Sequence, residues 1–473
     1  MFTTSLRKNP LAYQVWIFAV TFLLYAAVHA VRKTFGTNAN QVIDLGYTKV
    51  FVSYMNAAFM LSYALGMMFT GALGDRFRPT LVLLIACCSS AAIASAFGLM
   101  SPSLTSEGMW YLYVTFWVLN GLSQSCVWPT EVKLMSNWFG GGHSGSIYGI
   151  WSANGSVGNI LGIGFSSMCA AIWGKGASGV TWSFVIPALF LVLMAVLTFL
   201  SPDTRAKAGL PDAEEQPVAA AADEETATPA APNSQEKISF WAAWMLPGVI
   251  RYGLCYACIK AVNYVIFYWL TPFLENEGHS SNVSYTITVL NDVGWIFGGL
   301  VCGFGSDRMG TRAPFVGLFI LLSVVPTALI IPCVKNVAAL AVMVTLNGFL
   351  AGGAGNVVSS AVCADIGKNE KVKGSADVTG QVAGIVDGIG ALGAAATQLA
   401  IGYIPNSSWG GVFYGLTGML LFAFLLIIDL VYRDTKEWLA QRRAAARRKS
   451  EEKIVSTPTV DETHNIDLQV VRE

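Results

Sequence analysis

The chain has 473 residues, of which 54% are hydrophobic and only 12% are charged, and its formal net charge is zero. Soluble domains carry about 25% charged residues, so this composition predicts an integral membrane protein. A zero net charge gives no support to a nucleic-acid-binding function.

Apolar runs predict an all-α protein with twelve membrane-spanning helices, because each crossing needs about 20 apolar residues. The predicted spans are 12–36, 49–73, 79–100, 108–135, 143–172, 181–200, 245–274, 282–306, 312–333, 336–364, 373–402 and 408–432. A segment rich in Ala, Pro, Asp and Glu, 201–240, cannot bury a core and is predicted to be a disordered linker. It separates an N-terminal six-helix half, 1–200, from a C-terminal half, 241–433. A polar tail follows at 434–473, and its arginines fit either an anionic membrane surface or a solvated tail.

The first span contains three basic residues, His29, Arg32 and Lys33, at spacings that place them on one face of a helix. A charge in the hydrocarbon layer is costly, so such residues normally face a bundle interior or a watery cavity. Adjacent fixed cations there imply an anionic ligand, and the guanidinium fork of Arg32 matches phosphate or carboxylate. Tyr25 lies one turn earlier on the same face. The alternative for Arg32 and Lys33 is snorkelling towards the end of the helix.

Lysine and arginine are concentrated in the loops on the same side as the N-terminus. The opposite loops hold only Lys49, Lys175 and Lys335. The positive-inside rule therefore predicts that both termini, the linker and the tail are cytoplasmic.

An internal repeat marks the two halves. Gly71-Ala-Leu-Gly-Asp75-Arg76 follows the second span, and Gly303-Phe-Gly-Ser-Asp307-Arg308 follows the eighth. Two such motifs at matching positions in twelve spans are typical of the major facilitator architecture, two pseudo-symmetric six-helix halves with a ligand site near the midplane. The Asp-Arg pairs are predicted to clamp neighbouring helix ends in one state of a transport cycle.

Further candidates for ligand binding lie in other spans. Lys260 is in the middle of the seventh span, and nothing local explains a charge there, so it is the predicted C-terminal partner of Arg32. The alternative for Lys260 is a buried lysine paired with an acid. The other candidates are polar or aromatic residues within the spans: Asn263, Tyr264, Gln124, Trp151 and Asn154.

Three more charged residues are predicted to act in gating or charge balance. Lys133 ends the fourth span, where it has Glu131 or lipid phosphates as alternative partners. Asp292 and Asp387 are acids within spans that either neutralise Lys260 or Lys33 in the empty carrier or carry protons. The surrounding glycines are predicted to allow close helix contact.

These residues resemble the organophosphate:inorganic-phosphate antiporters, and most closely the eukaryotic sugar-phosphate exchangers. The matching stretches extend over both halves and include FLLYAAVHAVRKTF, NWFGGGHSGSIYGIWSANGSVGNILG and NDVGWIFGGLVCGFGSDR. The resemblance implies that Arg32 and Lys33 bind the phosphoryl group, that Lys260 is the basic ligand of the seventh helix, and that Asp292 and Lys133 match family positions. Related carriers have a histidine where this chain has Asn154 or Gly155, so a histidine-based role there does not transfer.

The sequence therefore predicts a secondary transporter that exchanges a sugar phosphate, similar to glucose 6-phosphate, for inorganic phosphate by alternating access. The alternatives are a proton-coupled organic-anion symporter and a non-transporting membrane receptor. No nucleophile–base pair or metal-ligand spacing is evident, so we expect neither an enzyme nor a cofactor. The expected partners are small phosphates and the lipid bilayer, with a monomer sufficient for transport. The resemblance favours the endoplasmic reticulum membrane, with the plasma or plastid membrane as alternatives.

Overall fold

The structure is a computed structural model that describes residues 10–70, 73, 77–139, 147, 150–210, 240–367 and 379–455. The regular structure of this part of the chain is helical. The α-helices are α1 Pro10–Thr37, α2 Ala39–Asp44, α3 Lys49–Thr70, α4 Pro79–Met100, α5 Glu107–Ser125, α6 Val127–Ser136, α7 Asn154–Trp173, α8 Ala177–Phe199, α9 Phe240–Trp244, α10 Val249–Asn276, α11 Ser281–Met309, α12 Ala313–Cys333, α13 Val337–Asn347, α14 Gly353–Val357, α15 Cys363–Gly367, α16 Thr379–Gly402 and α17 Trp409–Val455. Two π-helical turns, Gly348–Gly352 and Val358–Val362, connect α13, α14 and α15 into one continuous helical segment.

Eleven spans among the described residues are long and apolar enough to cross a membrane. The predicted fourth span is the exception, because it consists of two helices, α5 and α6, which are separated at Cys126. Polar residues such as Asn120 and Gln124 lower the hydropathy of α5. The predicted fifth span begins at 143, whereas α7 begins at Asn154, and residues 140–146 and 148–149 lie outside the described part.

Three pairs of long helices join the two halves. Helix α1 packs against α10, α3 against α16, and α7 against α11. In the numbering of the predicted spans these are the contacts 1–7, 2–11 and 5–8. In the pseudo-symmetry that relates the halves, span 2 corresponds to span 8 and span 11 to span 5. The 2–11 and 5–8 contacts are therefore equivalent, and the interface follows the symmetry of the sequence repeat. The buried cations of α1 and α10, which are Arg32, Lys33 and Lys260, therefore lie between the halves.

Glycines determine how closely α7 approaches α1. A Cβ atom on Gly162 would lie 2.7 Å from the carbonyl oxygen of Ala30, and one on Gly158 would lie 2.8 Å from the Cα atom of Ala26. Neither position has room for a larger residue, as predicted for close helix contact. Asn159, which directly follows Gly158, is thereby held beside α1.

The halves are closed at the end of the bundle that carries Lys49, which we call the Lys49 end. There the amide of Asn40 donates to the Pro272 carbonyl and to Glu275 Oε2, each at 3.1 Å. Lys49 Nζ donates to the Ile404 carbonyl at 2.7 Å. The hydroxyls of Tyr54 and Tyr403 also bond to each other, so four chain segments are joined at this end.

The first ten residues of the predicted disordered linker are folded against α4, which corrects that boundary. Asp203 is 1% exposed and accepts hydrogen bonds from Arg78 Nε at 2.8 Å and Thr80 Oγ1 at 2.5 Å. Burial alone would raise the pKa of Asp203, but hydrogen bonds from Lys207 and Thr80 and the charge of Arg78 outweigh it, and the pKa lies below its usual value. Residues 211–239 lie outside the described part.

Candidate functional site

Arg32 is a buried cation at the interface of the two halves, with 5% of the residue exposed. Its Nε and Nη2 atoms donate to Gln124 Oε1 at 3.1 and 2.9 Å, and its Nη1 donates to the Tyr264 hydroxyl at 3.4 Å. The guanidinium also lies 4.8 Å from the ring centre of Tyr63 and 5.1 Å from that of Phe59. Within the described residues no carboxylate pairs with Arg32, so its charge is solvated by dipoles and ring faces alone.

Gln124 is itself fixed by a polar network inside the N-terminal half. Its amide nitrogen donates to Ser90 Oγ at 2.9 Å and to Asn120 Oδ1 at 3.1 Å, and Ser90 donates to the same Asn120 oxygen at 2.6 Å. The amide oxygen of Gln124 must therefore point towards Arg32. The network orients the guanidinium before any ligand arrives.

Lys260 is the buried cation of the C-terminal half, with 4% of the residue exposed. Its Nζ atom lies 2.9 Å from Asp387 Oδ1 and 5.6 Å from the ring centre of Tyr264. Because the Tyr264 hydroxyl accepts from Arg32, this one tyrosine contacts the cations of both halves. Asn263, the neighbour of Tyr264, is also buried.

Lys33 points from α1 into the C-terminal half. Its Nζ atom donates to the carbonyl of Phe267 and lies 4.4 Å from the centre of the Phe267 ring. The charge of Lys33 is also attracted by the carboxylate of Asp292. Lys33 and Lys260 are therefore each accompanied by an acid, whereas Arg32 is not.

A hydrogen-bonded chain that the sequence analysis missed links the halves. His29 Nδ1 lies 3.0 Å from Asn159 Oδ1, and Asn159 Nδ2 donates to Asp292 Oδ1 at 2.7 Å. Asn159 joins α1, α7 and α11, yet it was not among the predicted site residues. The signal that could have identified it is its position between Gly158 and Gly162, the two glycines that contact α1.

We expect the substitution Asn159→Ala to reduce transport about tenfold, because it removes hydrogen bonds from both His29 and Asp292. The measurement is the initial rate of substrate uptake by proteoliposomes at equal protein content. Asn347→Ala is the matched control, since Asn347 donates at 2.6 Å to Thr327 within one half. Equal rates for the two variants would contradict a role for the chain between the halves.

The aromatic candidates form a layer beside this chain. The Tyr25 ring lies 4.9 Å from His29 and 4.8 Å from Trp128 between ring centres, and Trp128 stacks on Trp151 at 5.0 Å. Trp151 Nε1 donates to Thr21 at 3.1 Å. Asn154 is 1% exposed, and neither atom of its amide has a hydrogen-bond partner in the described part of the chain.

Of the gating and charge-balance candidates, Asp292 and Asp387 belong to this site, whereas the Asp307-Arg308 motif is not brought together with it. Arg312 bonds to Asp307 and, at 2.9 Å, to Asp365, whereas Arg308 lies over the ring of Phe304 at 4.1 Å. In this structure Asp307 therefore pairs with Arg312, and the clamp by the Asp307-Arg308 pair in one state of the transport cycle stays a prediction. Lys133 lies near the end of α6. Asp75 and Arg76 fall outside the described residues.

These features define a class of protein. A helical bundle with apolar, membrane-length helices and oppositely placed buried cations between two halves is an integral multi-pass membrane transporter. Among the described residues no cluster of His, Cys, Asp or Glu could hold a metal ion.

The sequence model of the Major Facilitator Superfamily matches residues 17–376. The chain belongs to this superfamily and, within it, to the family of the sugar phosphate exchangers. Sugar phosphate exchanger 3 of Mus musculus is 34% identical over 93% of this chain and 96% of its own length. Glucose-6-phosphate exchanger SLC37A2 of Mus musculus is 32% identical over 90% of this chain and 93% of its own length.

The fold has a counterpart among solved structures. The crystal structure of the nucleoside transporter NupG superposes with a TM-score of 0.64, at 12% identity, over 88% of this chain and 99% of that protein. At this identity the likeness concerns the fold alone. It agrees with the predicted all-α major facilitator fold.

Proposed function

We propose that this protein exchanges a sugar phosphate, similar to glucose 6-phosphate, for inorganic phosphate by alternating access. The observation that carries the proposal is the placement of Arg32 and Lys260, one from each half, on either side of Tyr264. The names of the similar proteins support a sugar phosphate as the substrate.

A phosphoryl group is the ligand that fits this pair of cations. Two of its oxygens can accept hydrogen bonds from the guanidinium of Arg32 in place of Gln124 and Tyr264. A further oxygen can accept from Lys260. Binding of the dianion therefore draws α1 and α10 together. The sugar would extend from the phosphate towards the aromatic layer of Tyr25, Trp128 and Trp151.

The charges in the site without a ligand explain why transport should occur by exchange. Asp387 compensates Lys260 and Asp292 accompanies Lys33, but Arg32 has no acid beside it among the described residues. Closing the halves around an uncompensated charge in a dry interface is unfavourable. A phosphate ligand on either side removes this barrier, so the loaded carrier should reorient much faster than the empty one.

We also propose a location and an orientation in the membrane. The tail, the linker and both termini would be cytoplasmic, and the Lys49 end would face the opposite compartment. The membrane would be that of the endoplasmic reticulum. The N-terminal half would comprise 1–200 and the C-terminal half 241–433. Asp75 and Arg76 would form the N-terminal counterpart of the clamp at Asp307, and Lys133 would lie at the cytoplasmic mouth.

Competition in proteoliposomes tests the substrate class. Uptake of labelled inorganic phosphate should fall when glucose 6-phosphate is added outside and stay unchanged when the same concentration of glucose is added. Inhibition by glucose, or no inhibition by any sugar phosphate, would contradict the proposal. Phosphate uptake that acidifies the vesicle interior would instead indicate the proton-coupled symporter.

A further inference from the structure

A groove on the surface of the C-terminal half is not part of the site between the halves. It has a volume of about 570 Å³ and lies between α11, α12 and the polar extension of α17. Its walls combine apolar side chains with two arginines. Those used below are Leu300, Val301, Phe304, Arg308, Trp438 and Arg442.

The apolar wall belongs to the surface that faces the hydrocarbon layer. Phe304 is 60% exposed, and Leu300 and Val301 are each 47% exposed, on a helix long and apolar enough to cross a membrane. Side chains of this kind on the outside of a bundle contact lipid acyl chains. The groove therefore continues a lipid-facing surface.

The two arginines form the polar rim of the groove. The Arg308 guanidinium lies 4.1 Å from the ring centre of Phe304, and that of Arg442 lies 4.6 Å from the ring centre of Trp438. Neither forms an ion pair with an acid in the described part of the chain. Each charge is thus held by an aromatic face and retains its hydrogen-bond donors for an anion.

Helix α17 places the second arginine at the membrane boundary. The helix runs without a break from Trp409 to Val455, so the start of the predicted polar tail is a helical extension of the last span. Residues 438–449 carry five basic side chains and no acidic one. A tryptophan followed by arginines is typical of the interface between hydrocarbon and headgroups.

We propose that this groove binds an anionic phospholipid, with one acyl chain along Leu300, Val301 and Phe304 and the headgroup phosphate between Arg308 and Arg442. Charge complementarity selects the ligand, because a lipid without net charge would leave the positive charge of the two arginines uncompensated. A free anion would use the arginines but not the exposed apolar wall. The bound lipid would tie the extension of α17 to the end of α11, beside the Asp307–Arg312 contact.

Native mass spectrometry of the full-length protein tests the proposal. Protein in detergent is titrated with phosphatidylserine or phosphatidylcholine, and the retained lipid is counted. We expect retention of phosphatidylserine by the wild type and loss of about five- to tenfold in its affinity in Arg442→Gln. Arg447→Gln is the matched control, because Arg447 belongs to the same basic run but does not line the groove.

Three outcomes would overturn the proposal. Equal phosphatidylserine affinity in Arg442→Gln and the wild type would show that the groove is not the site. An equal loss of phosphatidylserine affinity in Arg442→Gln and Arg447→Gln would indicate diffuse attraction to the basic run. Displacement of the lipid by millimolar inorganic phosphate would indicate a free-anion site. A second variant, Leu300→Asp, places a negative charge on the acyl wall and should weaken phosphatidylserine binding while both arginines remain.

Discussion

Arg32→Ala should abolish phosphate exchange. Arg32 is the buried cation without an acidic partner in the described site, so its charge is the one left for the substrate. Losing a bidentate, charge-assisted contact with phosphate should reduce the initial rate at low substrate concentration by about 100-fold or more. The measurement is uptake of labelled phosphate by phosphate-loaded proteoliposomes.

Two further variants make the result for Arg32 specific. Arg32→Lys keeps the charge but not the fork, so it should retain an intermediate rate. Arg251→Gln removes another arginine of the bundle, one that pairs with Asp429 on its surface, and should transport at nearly the wild-type rate. Wild-type uptake by Arg32→Ala would exclude Arg32 as the phosphate ligand.

The second large effect is expected at Lys260. In Lys260→Ala the Asp387 carboxylate loses the partner that lies 2.9 Å away and remains in the site as an uncompensated anion. It should both destabilise the protein and repel phosphate, so uptake should again fall by about 100-fold. The measurements are uptake and the apparent Tm in detergent.

The double variant Lys260→Ala/Asp387→Asn separates these two effects. Removing the stranded carboxylate should restore the Tm towards that of the wild type, but it should leave transport lost, because no cation remains in the C-terminal half of the site. If the double variant recovered transport together with stability, Lys260 would be a structural ion-pair partner only.

The sequence was sufficient to predict most of the spans and to identify the charged residues within them. Uninterrupted apolar runs determine where helices cross a membrane, and a charge such as Lys260 in the middle of one has few explanations besides function. The predicted span 79–100 agrees with α4, Pro79–Met100. The family resemblance was confirmed by the similarity to the sugar phosphate exchangers.

The contacts between residues distant in sequence were beyond the reach of these patterns. The pairing of Arg32 with Gln124 and Tyr264 depends on how three helices pack, and no periodicity within one helix specifies it. Asn159 was overlooked for the same reason. Local polarity was also misleading at Asp203, which is buried by donors from Arg78 and Thr80. The polarity of the tail did not predict that α17 continues to Val455.

The dependence of uptake on internal substrate tests the central proposal most directly. Labelled phosphate is offered to proteoliposomes that contain phosphate, glucose 6-phosphate or only buffer, at equal pH on both sides. Exchange predicts rapid uptake into both loaded preparations and uptake at least about tenfold slower into the empty one, because the empty carrier must close around the unpaired Arg32 charge. Equal uptake into loaded and empty vesicles would contradict it.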